Sequence, residues 1–156
     1  MSKPLPQLVV FDFDGVFTDN TVWTDQQGNE SVRCWRSDGL GLAKLKKINI
    51  PVYVLSTEAN PVVQARCKKL NIPCLSGLDD KAQALQQLAK DLGVSLERTV
   101  YVGNDINDVE CLKLVGYSFA VADAYPEAIA AAKQQTAKPG GFGAVREVCD
   151  WVLAGR

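Results

Sequence analysis

Residues 9–20 read VVFDFDGVFTDN, an apolar run that passes without a break into Asp12, Asp14, Gly15 and Asp19. The run is short, β-branched and aromatic, the composition of a strand buried in a sheet. Carboxylates at the end of such a strand repel one another and resist desolvation unless something cationic meets them. The stretch therefore predicts a buried strand that delivers charge to a site.

The same pattern recurs downstream. QLVVFDF (7–13), PVYVLS (51–56), IPCLSG (72–77), TVYVGN (99–104) and YSFAVA (117–122) read as strands, with amphipathic helices near 39–49, 60–70, 80–92, 107–115 and 125–134 between them. Asp38 is expected to cap the first helix, Pro61 suits the first turn of the second, Asp79 or Asp80 caps the third, and Gly93 marks its stop. Strict alternation predicts right-handed crossovers and a doubly wound, mostly parallel α/β sheet covered on both faces. One segment departs from it: TVWTDQQGNESVRCW (21–35) has two strand-like pieces around DQQGN and predicts an inserted β-hairpin. KPGGFG (138–143) reads as a flexible link into a last helix, GAVREVCDWVLA (143–154). With no repeat and no dividing linker, residues 1–156 are expected to form one domain, with the hairpin at about 21–35, a tail and helix at 138–156, and no large cap.

Composition narrows the chemistry. The chain has 156 residues, 47% hydrophobic and 22% charged, enough for a core without disulfides. No apolar run approaches the ~20 residues of a membrane helix, and MSKPLPQ lacks the apolar centre of a secretory signal, so a cytoplasmic protein is expected. The net charge is −1, and KLKK (44–47), the densest basic run, reads as a solvated helix face, so neither nucleic acid nor membrane is an expected partner. Five cysteines without a CxxC pair read as reduced, mostly structural thiols. There is no histidine, which removes Ser-His-Asp and Cys-His catalysis and leaves carboxylate, lysine, tyrosine or water to move protons.

In an open parallel sheet, ligands bind beyond the carboxyl ends of the strands. Those ends deliver Asp12 and Asp14, then Ser56 and Thr57, then Asn104, Asp105 and, a turn later, Asp108, while Lys81 follows the SGLDD loop. Oxygen donors alone, without histidine or thiolate, favour Mg2+.

These residues resemble the haloacid dehalogenase superfamily of phosphatases, in its capless 3-deoxy-D-manno-octulosonate 8-phosphate phosphatase subclass. FDFDGVFTDN resembles motif I, VLST motif II, DDKAQAL motif III and YVGNDIND motif IV, and AVADAYPEAI with GGFGAVREVCDWVL is similar to the subclass's C-terminal third. The resemblance implies Asp12 as nucleophile through an aspartyl-phosphate and Asp14 as general acid and base. It implies Ser56 and Lys81 as phosphate ligands, Gly15 and Asp108 in support, and Mg2+ held by Asp12, the Asp14 carbonyl and a motif IV side chain.

Two departures stand out. The family commonly has aspartate where this chain has Asn104, so either Asn104 coordinates as a neutral ligand or Asp105 takes the place. The octulosonate phosphatases usually carry Gly-Arg where this chain has Glu58, beside Thr57. Glutamate there is more similar to phosphatases of nine-carbon keto acids and to domains found with acylneuraminate cytidylyltransferases. Glu58 then reads either as a substrate-binding residue or as a helix N-terminal charge. The implied substrate is a 2-keto-3-deoxy sugar acid phosphate, an acylneuraminate 9-phosphate or the eight-carbon analogue. A non-catalytic or weakly active oligomerisation domain associated with an acylneuraminate cytidylyltransferase is the alternative. Subclass relatives close their sites by forming homotetramers, which would pack Val22, Trp23 and Trp35 between subunits. Arg66 and Lys69 lie too far along their helix to share a ligand with Glu58. They are expected either to meet the substrate carboxylate in a neighbouring subunit's site or to face solvent.

Overall fold

Among the described residues six strands lie in one parallel sheet whose order is set by a single reversal. The computed structural model describes residues 4–156. In chain order the elements are β1 (Leu8–Phe11), β2 (Trp23–Thr24), β3 (Glu30–Ser31), α1 (Asp38–Lys47), β4 (Val52–Leu55), α2 (Pro61–Leu70), β5 (Cys74–Leu75), α3 (Lys81–Leu92), β6 (Thr99–Gly103), α4 (Val109–Leu114), β7 (Tyr117–Ala120), α5 (Pro126–Ala131), β8 (Gln134–Gln135) and α6 (Ala144–Ala154). The sheet runs β5-β4-β1-β6-β7-β8, and β2 pairs with β3 in the separate, antiparallel hairpin. The chain winds outward from β1 through β4 to β5, then returns to the other side of β1 for β6. The switch point thus falls at the carboxyl ends of β1 and β6.

Period-two alternation divides the core between the two faces of the sheet. Val9 and Phe11 of β1, with Val100 and Val102 of β6, pack toward α1, α2 and α6. Leu8 and Val10, with Tyr101, pack toward α3, α4 and α5. Tyr101 is fully buried, and its position on the second face decides what its hydroxyl can reach.

Asn60 caps α2 by accepting from the Val62 amide, with Pro61 in the first helical turn, and Asp80 caps α3 by accepting from Gln83. Gly93 ends α3 in the left-handed conformation.

Three expectations are corrected. Asp38 does not cap α1, whose N-cap is Ser37. Its carboxylate turns inward and accepts the Arg146 amide in the first turn of α6 at 3.1 Å, so it caps a helix distant in sequence. The segment expected to stay helical to 134 leaves the helix after Ala131. Ser118 takes the Lys133 amide, the carbonyls of Val115 and Gly116 take its ammonium, and Gln134–Gln135 form a sixth strand beside β7. The glycine-rich link is packed rather than free: Gly140 donates to Asp123 and Gly141 to the Val16 carbonyl. A Cβ on Gly140 would fall 1.8 Å from the Gly15 carbonyl oxygen. All five cysteines are free thiols, and no helix among the described residues is long and apolar enough to cross a membrane.

Candidate active site

β1 runs one residue past its last assigned pairing, because the Asp12 amide still donates to the Val102 carbonyl at 2.9 Å. That bond fixes the Asp12 side chain at the carboxyl end of the sheet. The chain then bends at Gly15, whose positive φ of 81° suits glycine. The Thr18 hydroxyl oxygen accepts from the amides of Gly15 and Asn20, both at 3.1 Å, and closes the bend. The bend turns Asp14 back over the strand end.

A buried chain of charges follows. Lys81, at the first turn of α3 and only 4% exposed, lies 3.1 Å from Asp12 Oδ1 and 2.7 Å from Asp108 Oδ1. The Tyr101 hydroxyl donates to Asp108 Oδ1 at 2.6 Å, and the amides of Asn104 and Asp105 donate to Asp108 Oδ2. Asp108 is thus saturated with donors and bonded to the lysine. Burial pushes the Asp12 carboxyl well above the usual carboxylate range and the Lys81 ammonium opposes it. For Asp108 burial also works upward, but the Lys81 charge and the converging hydrogen bonds win and hold it low. Burial alone would lower Lys81; the charges of Asp12 and Asp108 reverse that and keep it protonated. Asp14 is raised by burial, reinforced by the negative charges of Glu58 and of Glu30 in the hairpin.

The inward atom of the Asn104 amide lies 3.1 Å from Asp12 Oδ2, 3.0 Å from the Asp14 carbonyl oxygen and 3.3 Å from Asp108 Oδ2. An octahedral magnesium with bonds of ~2.0–2.1 Å sets adjacent ligand oxygens about 2.9–3.0 Å apart. The Asn104 inner atom is therefore spaced from Asp12 Oδ2 and from the Asp14 carbonyl oxygen as neighbouring ligands of such a site would be. Among the described residues no three histidine, cysteine, aspartate or glutamate side chains meet as a cluster, so a cation here would use the amide and the main-chain carbonyl. One carboxylate oxygen of Asp105 accepts from the Ile106 amide at 2.7 Å and caps the short turn Ile106–Asp108.

Asp12, Asp14, Ser56, Thr57, Asn104 and Asp105 line one cavity of about 80 Å3, together with Asn20 and Asn107. Ser56 is buried, and its hydroxyl oxygen accepts from the Glu58 amide. Glu58 is exposed and outside that lining, and its carboxylate accepts from the amide of Asn60, the N-cap of α2, at 3.0 Å. Arg66 and Lys69 do not reach the cavity. They line a separate hollow of about 420 Å3 with Arg36, Cys34, Val32, Val62 and Ala65. A groove of about 430 Å3 lies at the opposite end of β4 and holds none of the carboxylates. Sequence reasoning missed Asn20, Asn107, Thr18 and Tyr101. Tyr101 was detectable, since a tyrosine in the middle of a buried strand must find a partner for its hydroxyl.

Residues 68–147 match the haloacid dehalogenase-like hydrolase family. The 3-deoxy-D-manno-octulosonate 8-phosphate phosphatase KdsC of Salmonella typhi is 36% identical, over 94% of this chain and 79% of its own. Among solved structures, a Streptomyces avermitilis protein whose assignment to the HAD hydrolases is provisional is 47% identical. It has a TM-score of 0.93 and covers 97% of this chain and 89% of that one. The 3-deoxy-D-manno-octulosonate 8-phosphate phosphatase of Moraxella catarrhalis, in complex with magnesium ion, phosphate ion and KDO, is 33% identical. Its TM-score is also 0.93, with 97% and 87% coverage.

Proposed function

The chain belongs to the haloacid dehalogenase-like hydrolases and is a phosphatase, and we propose that it releases phosphate from a 2-keto-3-deoxy sugar acid phosphate with Mg2+ as cofactor. The observation that carries this reading is the buried Asp12–Lys81–Asp108 chain beneath a cavity that also holds Asp14, Ser56 and Asn104. Asp12 attacks phosphorus in line, forming the aspartyl-phosphate as the ester bond breaks. Asp14, whose hold on a proton is strengthened by burial and by the charges of Glu58 and Glu30, donates to the leaving alkoxide. It then takes a proton from water, which attacks the aspartyl-phosphate and frees inorganic phosphate. Ser56 donates to a phosphoryl oxygen, and Lys81 neutralises charge on Asp12 and on the transferring group. Magnesium, held by Asp12, the Asp14 carbonyl and Asn104, would screen the repulsion between anionic nucleophile and anionic ester.

The cavity, about 80 Å3, is small beside the ~300–1,000 Å3 of ordinary ligand sites. It has room for a phosphoryl group, and the sugar acid must extend past Thr57 and Glu58. In this reading the protein is a homotetramer in which a neighbouring copy covers the sugar. Trp23, 73% exposed, together with Val22, Trp35 and Phe142, gives the hairpin edge an apolar surface for that contact. Arg66 and Lys69, with Arg36, supply a basic hollow for the substrate carboxylate of the adjoining site. Glu58 selects the sugar by accepting from its hydroxyl or amide groups, favouring the nine-carbon acids.

The test is phosphate release from the eight-carbon and nine-carbon keto-acid phosphates, with magnesium and with EDTA. Expected are magnesium-dependent turnover and loss of at least about 10³-fold in kcat for Asp12→Asn with folding retained. Folded wild-type protein that releases no phosphate from either would transfer the chain to the alternative, a non-catalytic oligomerisation domain.

A further inference from the structure

Asn104 carries an amide at a place where every inward neighbour is an acceptor. Its inner atom meets Asp12 Oδ2, the Asp14 carbonyl oxygen and Asp108 Oδ2 within 3.0–3.3 Å, while its outer atom faces only donors. The residue is 5% exposed and packs under Gly15, where a Cβ would come within 1.9 Å of the amide, so a half-turn that exchanges its oxygen and nitrogen is the change that keeps its place. With nitrogen inward, the amide donates to the oxygens that would otherwise repel, and its oxygen meets the outer donors. With oxygen inward, the same atoms make a cation site, at the cost of those hydrogen bonds and of the outer match.

Building on the catalytic reading above, we propose that the Asn104 amide is the site's own substitute for the cation. It turns its nitrogen inward in the metal-free protein and its oxygen inward when magnesium binds, by a half-turn about Cβ–Cγ. An aspartate could serve only the second state, because without the cation it would add a third carboxylate beside Asp12 and Asp108. The amide thus trades metal affinity for a metal-free site that stays ordered. The direct donors then carry one full negative charge, on Asp12, so the phosphate ester supplies much of the remaining counter-charge. Metal and ester accordingly strengthen each other's binding.

Thermal melts of the wild type and Asn104→Asp, in EDTA and across a magnesium titration above neutral pH, test this without turnover. Asn104→Asp is expected to melt below the wild type in EDTA and to gain more on adding magnesium. Its magnesium dissociation constant is expected to be tighter by at least about tenfold. Equal melting temperatures in EDTA, or equal magnesium affinities, would overturn the proposal. If the variant does not fold, the side-chain amide resonances of Asn104 in labelled wild-type protein decide. They should be hydrogen-bonded and protected in EDTA and should shift and lose protection with magnesium; a pair unchanged at saturation refutes the turn. The catalytic reading fails separately, through a wild type that binds magnesium and releases no phosphate.

Discussion

Asp38→Asn should gain stability relative to the wild type as pH rises, and exceed it near neutrality. Asp38 is 1% exposed; one carboxylate oxygen accepts the Arg146 amide and the other has no partner. Burial raises its pKa to about 7, against the pull of the Arg146 amide and of the Arg66 and Arg146 guanidinium groups. The folded state therefore keeps a proton that the unfolded chain releases near 4, and stability falls as pH climbs between these values, levelling off above 7. A shift of about three units corresponds to roughly 4 kcal/mol across the window. Asparagine retains an oxygen for the Arg146 amide and removes the titration. Its unpaired amino group costs about 1–3 kcal/mol at every pH. Urea unfolding of both proteins at matched concentration from acid to neutral pH reads the difference. It should be near zero or unfavourable to the variant in acid and move in its favour by up to about 4 kcal/mol toward neutrality. A difference that stays flat would mean that the guanidinium groups hold Asp38 ionised, and the reasoning from burial would be wrong.

Two further changes probe what holds the site. Tyr101→Phe removes the hydroxyl that Asp108 accepts at 2.6 Å, leaving that buried carboxylate to draw Lys81 away from Asp12. A loss of about 1.5–3 kcal/mol in urea unfolding is expected, with kcat lowered several-fold and KM little changed; unaltered stability would show that Asp108 needs only Lys81 and the backbone. Gly140→Ala drives a methyl group to 1.8 Å from the Gly15 carbonyl oxygen and 2.9 Å from that of Thr18. Backbone must move, at a cost of about 1–3 kcal/mol, and because the moved segment adjoins Asp14, turnover should fall with stability. A variant that melts like the wild type would refute the close packing of the link.

The parallel sheet was legible because each strand is a short apolar run with its own turn residues, and the helices between have local start and stop signals. What escaped depends on contacts distant in sequence. Nothing near Asp38 says that its carboxylate will serve α6, since the Arg146 amide arrives from the other end of the chain. Gln134 and Gln135 carry no strand propensity; they join the sheet because Ser118 and two carbonyls hold Lys133 at the edge of β7. Gly140 and Gly141 look like a flexible link until the β1 bend is seen packed against them.

For the site, strand ends alone brought Asp12, Asp14, Ser56, Thr57 and Asn104 into one cavity, because in a parallel sheet the topology determines which ends meet. The backbone role of Asp105 has a local signal in the sequence. In GNDIND the two aspartates stand three apart, the spacing of a reciprocal cap, and that is how they are employed: Asp105 caps the turn and Asp108 takes the Asp105 amide. Asn104 comes before the cap, at the end of β6 and beside β1, where its side chain meets Asp12 and the Asp14 carbonyl. An amide can occupy that place without a cation because it supplies donor and acceptor in turn, which a carboxylate does not.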